Sequence, residues 1–481
     1  MKRNSLKVLL AAAEAAPFAK TGGLGDVTGA LLRSLRKVGV DARLLMPLYR
    51  GIKRAFRPVG TGKDVTVTVA GRSYRSRLFS HEDAVYFAEC NEFFDRPEIY
   101  GTTRGDYGDN ALRFTFLSRA AIGACRALGF EPDVLHSNDW HTALIPLYLK
   151  TTERRVRTGS LLTIHNLGYQ GIFPPSAITV TGLPGRLFTT EVLEFHGNLN
   201  FLKGGIVAAD AVNTVSPTYA REIKSGEYGF GLDGVLHTRG RDLSGIINGL
   251  DYETWNPSTD VSIPERYDAR DLSGKRACKE ALAAACGFSD RSAPVAAFVG
   301  RLASQKGVDL LLEQAGSIFA AGLNLAVLGK GSEDLHTRFR SLARKNPGRL
   351  HVRIGHDEAF AHRLYAGADM LLIPSRYEPC GLAQMIAMRY GTVPVATATG
   401  GIVDTVEDFN PLAGEGAGLL FGEATGACLT EGIKRALCAY ADPEKWRGLM
   451  LAGMKKEFSW ESTALQYMDL YRRIMEKRAA R

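Results

Sequence analysis

The stretch KVLLAAAEAAPFAKTGGLGDVTGALLRSLRK, residues 7–37, reads as strand, glycine-rich turn and helix. Lys7–Ala12 is a short, almost unbroken apolar run, the pattern of a strand buried in a sheet. Thr21-Gly22-Gly23 makes the turn. Leu24, Val27, Leu31, Leu35 and Val38 then recur at helical spacing, and Gly39 closes the helix. A dinucleotide fingerprint is the obvious comparison, and it fails. Gly23-x-Gly25-x-x reaches Thr28 instead of a glycine, and no acidic residue stands at the end of the following strand where one is needed. What remains is a helix N-terminus whose N–H groups face the space beyond the turn. With Lys20 just before it, the turn suits an anion or a hydroxyl group.

The same alternation continues along the chain. Asp133–His136 and Ser160–His165 are strand candidates, and Gly245–Ile247 is strand-like. A second series starts near Pro294: strand Val295–Val299, loop Gly300–Gly307, helix Val308–Phe319, strands Leu323–Leu328 and Met370–Pro374. Glu378 to Tyr390 reads as a loop entering a helix, and Thr399-Gly400-Gly401 opens another. Short apolar runs between helical segments predict parallel sheets covered by helices. At 481 residues the chain is too long for one ordinary core. We therefore expect an α/β protein of two doubly wound domains: residues 1–247, residues 248–459, and a C-terminal helix over 460–481. Such sheets bind ligands at the carboxyl ends of their strands.

Apolar residues make up 45% of the chain and charged residues 23%, a globular profile. The net charge of +9 favours anionic partners. Its cations are spread without a dense run or interleaved aromatics, which argues against nucleic acid. Seven cysteines without paired spacing fit a reducing compartment and neither a disulfide framework nor a zinc knuckle. Lys2, Arg3 and the run Leu6–Ala13 imitate a signal peptide, but Lys7 and Glu14 break the run and it is short. No apolar run approaches the roughly 18 residues needed to cross a bilayer. A cytoplasmic protein without membrane attachment is expected.

Four further stretches carry chemistry. Gly300-Arg301-Leu302-Ala303-Ser304-Gln305-Lys306-Gly307 sets two cations at a strand-to-helix turn, where Arg clamps a phosphate and Lys adds a point charge. No Walker motif is present, so the loop is not that of a P-loop ATPase. Ser375-Arg376-Tyr377-Glu378-Pro379-Cys380-Gly381-Leu382 puts a carboxylate at a strand end, suited to sugar hydroxyls or to positive charge at an anomeric carbon, or else to helix capping. His136-Ser137-Asn138-Asp139-Trp140-His141 and Thr163-Ile164-His165-Asn166 gather three histidines, but on different strand ends and without a His-Glu-x-x-His pattern. Asp-x-Asp, a pattern that can hold a metal, is absent. No metal and no cofactor are expected, so leaving-group charge falls to Arg301, Lys306 and helix dipoles.

Together these motifs resemble the bacterial and plant glycogen/starch synthases, from about Lys7 to about Tyr471. The resemblance rests on Glu14-Ala15-Ala16-Pro17 with Lys20–Val27, Tyr100, Asp109-Asn110, Asp139-Trp140-His141, His165–Gly171, Asn248-Gly249, Arg301–Gly307 and Arg376–Leu382. It implies a GT-B fold, with two Rossmann-like domains around a deep cleft and the last helix crossing back onto the first. It also implies ADP-glucose as donor, an α-1,4-glucan as acceptor and retention of configuration. By position, Arg301 and Lys306 bind the diphosphate, with Lys20, Gly22 and Gly23 near it. Asp139, His165 and Asn248 contact the glucosyl group, Glu378 its hydroxyls, and Tyr100 lines the cleft. Cys380, Gly381 and Leu382 complete the binding set. Two positions depart from the family: Ala13 stands where Ser is common, and His356 where a tyrosine often contacts the adenine.

Another retaining nucleotide-sugar glucosyltransferase, with a different small acceptor, is the alternative. A nicotinamide oxidoreductase would need the fingerprint that is missing. A non-catalytic glucan-binding protein would have no need of Arg301 and Lys306.

Overall fold

The computed structural model describes residues 5–102, 105–152 and 157–480. Lys2, Arg3 and Arg481 lie outside them. The chain divides into two compact units, Met1–Gly249 with Trp460–Arg481, and Leu250–Ser459.

The first unit is built on nine strands: β1 (Lys7–Ala11), β2 (Asp41–Pro47), β3 (Val59–Val69), β4 (Arg72–His81), β5 (Val85–Ala88), β6 (Val134–Asn138), β7 (Gly159–Ile164), β8 (Ala211–Thr214) and β9 (Leu243–Gly245). Their order in the sheet is β9-β8-β7-β6-β1-β2-β5-β4-β3. Pairing is parallel from β9 to β5. The hairpin β3–β4 closes one side antiparallel, a feature absent from the sequence reading. Val8, Leu9, Leu10 and Ala11 are all buried, as a strand covered on both faces requires. The helix Gly23–Lys37 buries Leu24, Val27, Leu31 and Leu35. It lies so close to the loop after β1 that a Cβ at Gly29 would collide with the carbonyl of Ala16. The helix Trp460–Ala479 packs on this same unit. Tyr471 bonds His136 through its hydroxyl at 2.9 Å, Tyr467 accepts from Asn213 at 3.0 Å, and Arg478 pairs with Asp210 at 3.1 Å.

In the second unit, β10 (Val295–Val299), β11 (Asn324–Gly329), β12 (Leu350–Ile354), β13 (Met370–Ile373), β14 (Val393–Thr397) and β15 (Leu419–Phe421) are all parallel. Their order is β12-β11-β10-β13-β14-β15. Counted from β10 this is 3-2-1-4-5-6, the doubly wound order of nucleotide-binding sheets. The two parallel-sheet α/β units are as expected.

In each sheet the connection reverses direction once. In the first unit this happens between β1 and β6, in the second between β10 and β13. The crevice at the carboxyl ends of such neighbouring strands is where these folds take ligands.

Candidate active site

At the first reversal, the loop leaving β1 is organised by Glu14, which is buried. Its carboxylate accepts from the Thr21 hydroxyl at 2.8 Å, from the N–H groups of Thr21 and Gly22, and from the Tyr100 hydroxyl. The turn is thus tied to one buried acidic side chain. Tyr100 stacks on His141, with ring centroids 4.7 Å apart. Burial beside Glu14 keeps its phenol well above the usual range. Neither Gly22 nor Gly23 has a positive φ, and a Cβ on either would meet no described atom. The fold itself therefore does not demand glycine at either position. Lys20 is exposed and pairs with Asp26 at 2.7 Å.

The loop after β6 begins with Asp139, whose φ of 54° is unusual for a residue with a side chain. Asp139 is buried, and burial raises its carboxyl to about 7 although the N–H groups of His165 and Asn166 oppose the rise. The His165 N–H lies 2.7 Å from the carboxylate. His165 itself is partly exposed, and desolvation lowers its imidazole to about 3. Its Nε2 is 2.9 Å from Asn138 Oδ1. Asn138 Nδ2 donates to the carbonyl of Ala11 at 3.2 Å, which turns Oδ1 toward the histidine. Nε2 therefore carries the proton, and Nδ1 keeps a lone pair to accept from a hydroxyl. Asn248 is buried and its Oδ1 has no partner among the described residues.

A carboxyl raised by folding binds its proton more tightly in the native state than in the unfolded chain. Stability therefore falls as pH rises from about 4 toward 7. Asp139→Asn cannot titrate and should flatten this slope. Urea unfolding of both proteins at pH 5 and 7 measures it, and equal slopes would mean that Asp139 is ionised throughout.

At the second reversal, the loop after β10 and the loop after β13 interlock. Lys306 Nζ is paired with Glu378, and Ser375 donates to the same carboxylate at 3.1 Å. Arg376 spans the two loops: it donates to the carbonyl of Ser304 and bonds both oxygens of Asp309, at 2.8 and 2.6 Å. Gly307, at φ 66°, sits where a Cβ would strike the carbonyl of Pro374. A third loop joins through the Gly401 N–H, which donates to the Glu378 carbonyl at 3.0 Å. Arg301 is exposed, donating to Gln305 at 3.0 Å. Cys380 is buried, Gly381 has φ 76°, and Leu382 precedes the helix Ala383–Arg389. His356 is exposed in the loop after β12.

So Gly22 and Tyr100 meet at Glu14, with Thr21 between, while Lys20 pairs with Asp26 and Gly23 opens the helix; Asp139 adjoins His165, and Lys306 meets Glu378. His136 is turned away, between Tyr471 and Thr163 at 2.9 and 2.7 Å. Sequence reasoning gave no role to Glu14, Asn138 or the Arg376–Asp309 pair. The signal for Glu14 was there, a lone carboxylate in an otherwise apolar run. For Arg376 the signal was weaker: an acidic residue in the first turn of the helix Val308–Ala320.

Residues 7–238 match the starch synthase catalytic domain family, and residues 288–447 match glycosyl transferases group 1. A glycogen synthase of Anaeromyxobacter sp. (strain Fw109-5) is 46% identical, over 98% of this chain and 99% of its own. The chain belongs to the glycogen synthase family. A second glycogen synthase, from Thermodesulfovibrio yellowstonii, is 42% identical over 98% of this chain and 99% of its own. Among solved structures, the catalytic domain of starch synthase IV from Arabidopsis thaliana, bound to ADP and acarbose, superposes with a TM-score of 0.90. It is 33% identical, covering 98% of this chain and 100% of its own. Sucrose-phosphate synthase from Thermosynechococcus elongatus shares the fold at 19% identity, with a TM-score of 0.63 over 98% of this chain and 100% of its own. Membership of the glycogen synthase family makes the chain a glycosyltransferase, and its two parallel-sheet α/β domains are those of the GT-B fold. No described helix is long and apolar enough to cross a membrane.

Proposed function

We propose that this glycogen synthase relative transfers glucose from ADP-glucose to the non-reducing end of an α-1,4-glucan, with retention of configuration, releasing ADP. The observation that carries this reading is the Lys306–Glu378 pair at the carboxyl ends of β10 and β13. It sits on a sheet with the strand order of nucleotide binders, with Arg301 on the same loop.

Arg301 and Lys306 take the diphosphate and neutralise the charge that grows as the C–O bond to the glucosyl group breaks. By family resemblance Lys20, Gly22 and Gly23 take part in binding the same donor. Asp139, Asn248 and Nδ1 of His165 accept from glucosyl hydroxyls, and Tyr100 shapes the same pocket. Glu378 stabilises a sugar that turns cationic, with Cys380, Gly381 and Leu382 fixing its loop. His356 is the stacking partner for adenine. The acceptor's hydroxyl oxygen then attacks the anomeric carbon from the face the phosphate leaves, and its proton passes to that phosphate. A covalent route through Glu378 is the rival chemistry. Pairing with Lys306 and Ser375 weakens that carboxylate as a nucleophile and favours the stabilising role. The seven free cysteines fit a cytoplasmic setting.

The donor test compares kcat/KM for ADP-glucose and UDP-glucose with glycogen as primer. At least about tenfold preference for ADP-glucose is expected, equal to roughly 1.4 kcal/mol of transition-state discrimination. Comparable values would overturn the donor assignment, with His356 the first position to examine.

A further inference from the structure

In a strand, successive side chains point to opposite faces of the sheet. Asn138 is the last residue of β6 and Asp139 follows it, yet both side chains meet the same residue. Asn138 Oδ1 lies 2.9 Å from His165 Nε2, and the Asp139 carboxylate accepts the His165 N–H at 2.7 Å. The alternation is broken by Asp139 itself, whose φ of 54° redirects the chain where the strand ends. A residue with a side chain is held in that region against a local cost, and such strain gathers at functional sites. Here the result is that His165 is gripped by its backbone and by its ring at once.

The grip on the ring has only one polarity. Asn138 Nδ2 faces two carbonyls, that of Ala11 at 3.2 Å and that of His136 at 3.5 Å, and a carbonyl can only accept. The amide nitrogen is committed to them, so the oxygen is committed to the histidine. Asn138 is buried, and its backbone is fixed as well. Its N–H donates to Thr142 Oγ1 at 2.7 Å, and the Thr142 hydroxyl donates back to the Asn138 carbonyl at 2.9 Å. Ala11 ends β1 and Asn138 ends β6, the two strands between which the first sheet reverses. The hold on the ring is therefore built into the reversal point itself. Because desolvation lowers the imidazole to about 3, the ring carries a single proton, and the partner of each nitrogen decides where it sits. No described residue bonds Nδ1.

We propose that Asn138 is a positioning residue for the transfer reaction: it pins the His165 proton on Nε2 and fixes the ring, so that Nδ1 meets the reacting sugar as an acceptor. This rests on the reading of His165 as a contact to the transferring glucose. Asp139 holds the backbone of the histidine, and Asn138 chooses the face its ring shows. A ring free to exchange its proton or to rotate would present a donor in place of the acceptor, and the contact would no longer be set before the sugar arrives.

The test uses the full chain and the variant Asn138→Leu, close in size but with neither polar end, with Asn138→Val as the smaller apolar variant should leucine not be accommodated. In both, an Nε2–H would face no acceptor, which is unfavourable in a buried setting, so the proton should move to Nδ1. Nitrogen-15 spectra of protein labelled in its histidine rings read this directly, with the His165 signals assigned by their loss in His165→Ala. Wild type should carry the proton on Nε2, and the variants largely on Nδ1. With ADP-glucose and glycogen, kcat should fall about tenfold, less than in His165→Ala because a sugar hydroxyl can turn to accept, while affinity for ADP stays within about twofold. In the His165→Ala background, Asn138→Leu should change kcat by less than about twofold, as expected of a residue that acts only through the histidine. An unmoved proton in the folded variants would overturn the proposal. So would a further tenfold loss in the double variant, which would mean that Asn138 serves the strand or the substrate directly. Wild-type turnover in His165→Ala would overturn the sugar contact, and with it any effect of Asn138 on transfer. The nitrogen spectra need no substrate and keep that failure distinct from a failure of the hold on the ring.

Discussion

Lys306→Ala should lower kcat/KM for ADP-glucose by at least about tenfold, and by more if the phosphate contact tightens as ADP departs. A charge-assisted contact contributes about 1.5–3 kcal/mol, and a factor of ten is about 1.4 kcal/mol. The same substitution should also lower the melting temperature. Glu378 is 6% exposed, and its carboxylate is held by Lys306 and Ser375. Removing the cation leaves a buried anion with one hydroxyl, a defect that typically costs about 3–5 kcal/mol. The two effects separate in the double variant Lys306→Ala/Glu378→Gln. Neutralising the stranded carboxylate should recover much of the stability and none of the activity. Wild-type kinetics in Lys306→Ala would place the diphosphate elsewhere. A double variant no more stable than the single one would mean that the pair carries little of the fold.

His165→Ala should lower kcat on the order of a hundredfold, the usual scale for losing one preorganised contact to the reacting group. Affinity for ADP should change by less than about twofold, because ADP lacks the sugar that His165 is proposed to meet. With its imidazole lowered to about 3, His165 is neutral over the working range, so its loss should not move any limb of the pH–rate profile above pH 5. Calorimetric titration with ADP and steady-state turnover measure the two quantities. If the variant unfolds, or if ADP weakens as much as turnover slows, His165 serves the fold and not the sugar.

Much of the architecture was legible in the sequence because parallel strands buried on both faces are continuous apolar runs. The reading Val295–Val299 coincides with β10, Met370–Pro374 differs from β13 by one residue, and Leu323–Leu328 is shifted by one from β11. The hairpin β3–β4 was legible in principle. Val65, Val67 and Val69 point inward while Thr66 and Thr68 face out, the alternation of a half-covered strand. The small antiparallel sheet of Ile172–Phe173, Glu194–Phe195 and Asn198–Asn200 was not, since strands of two or three residues carry no periodicity. At the site, residue types at strand ends were readable one by one, but their pairing was not. Lys306 and Glu378 meet across 72 residues because β10 and β13 are neighbours, and adjacency of strands is a property of topology that no local window contains. His136 makes the complementary point. It lies three residues from Asp139, yet its place in the middle of β6 turns its ring to Tyr471.

The most direct measurement is to incubate the protein with ADP-glucose labelled in the glucosyl group and with glycogen, then digest the washed polymer with β-amylase, which cuts α-1,4 maltose units from non-reducing ends. Label is expected to enter the polymer, to be released as maltose, and to be matched mole for mole by free ADP. Label recovered as free glucose, or in a small soluble glycoside with the polymer unlabelled, would contradict it.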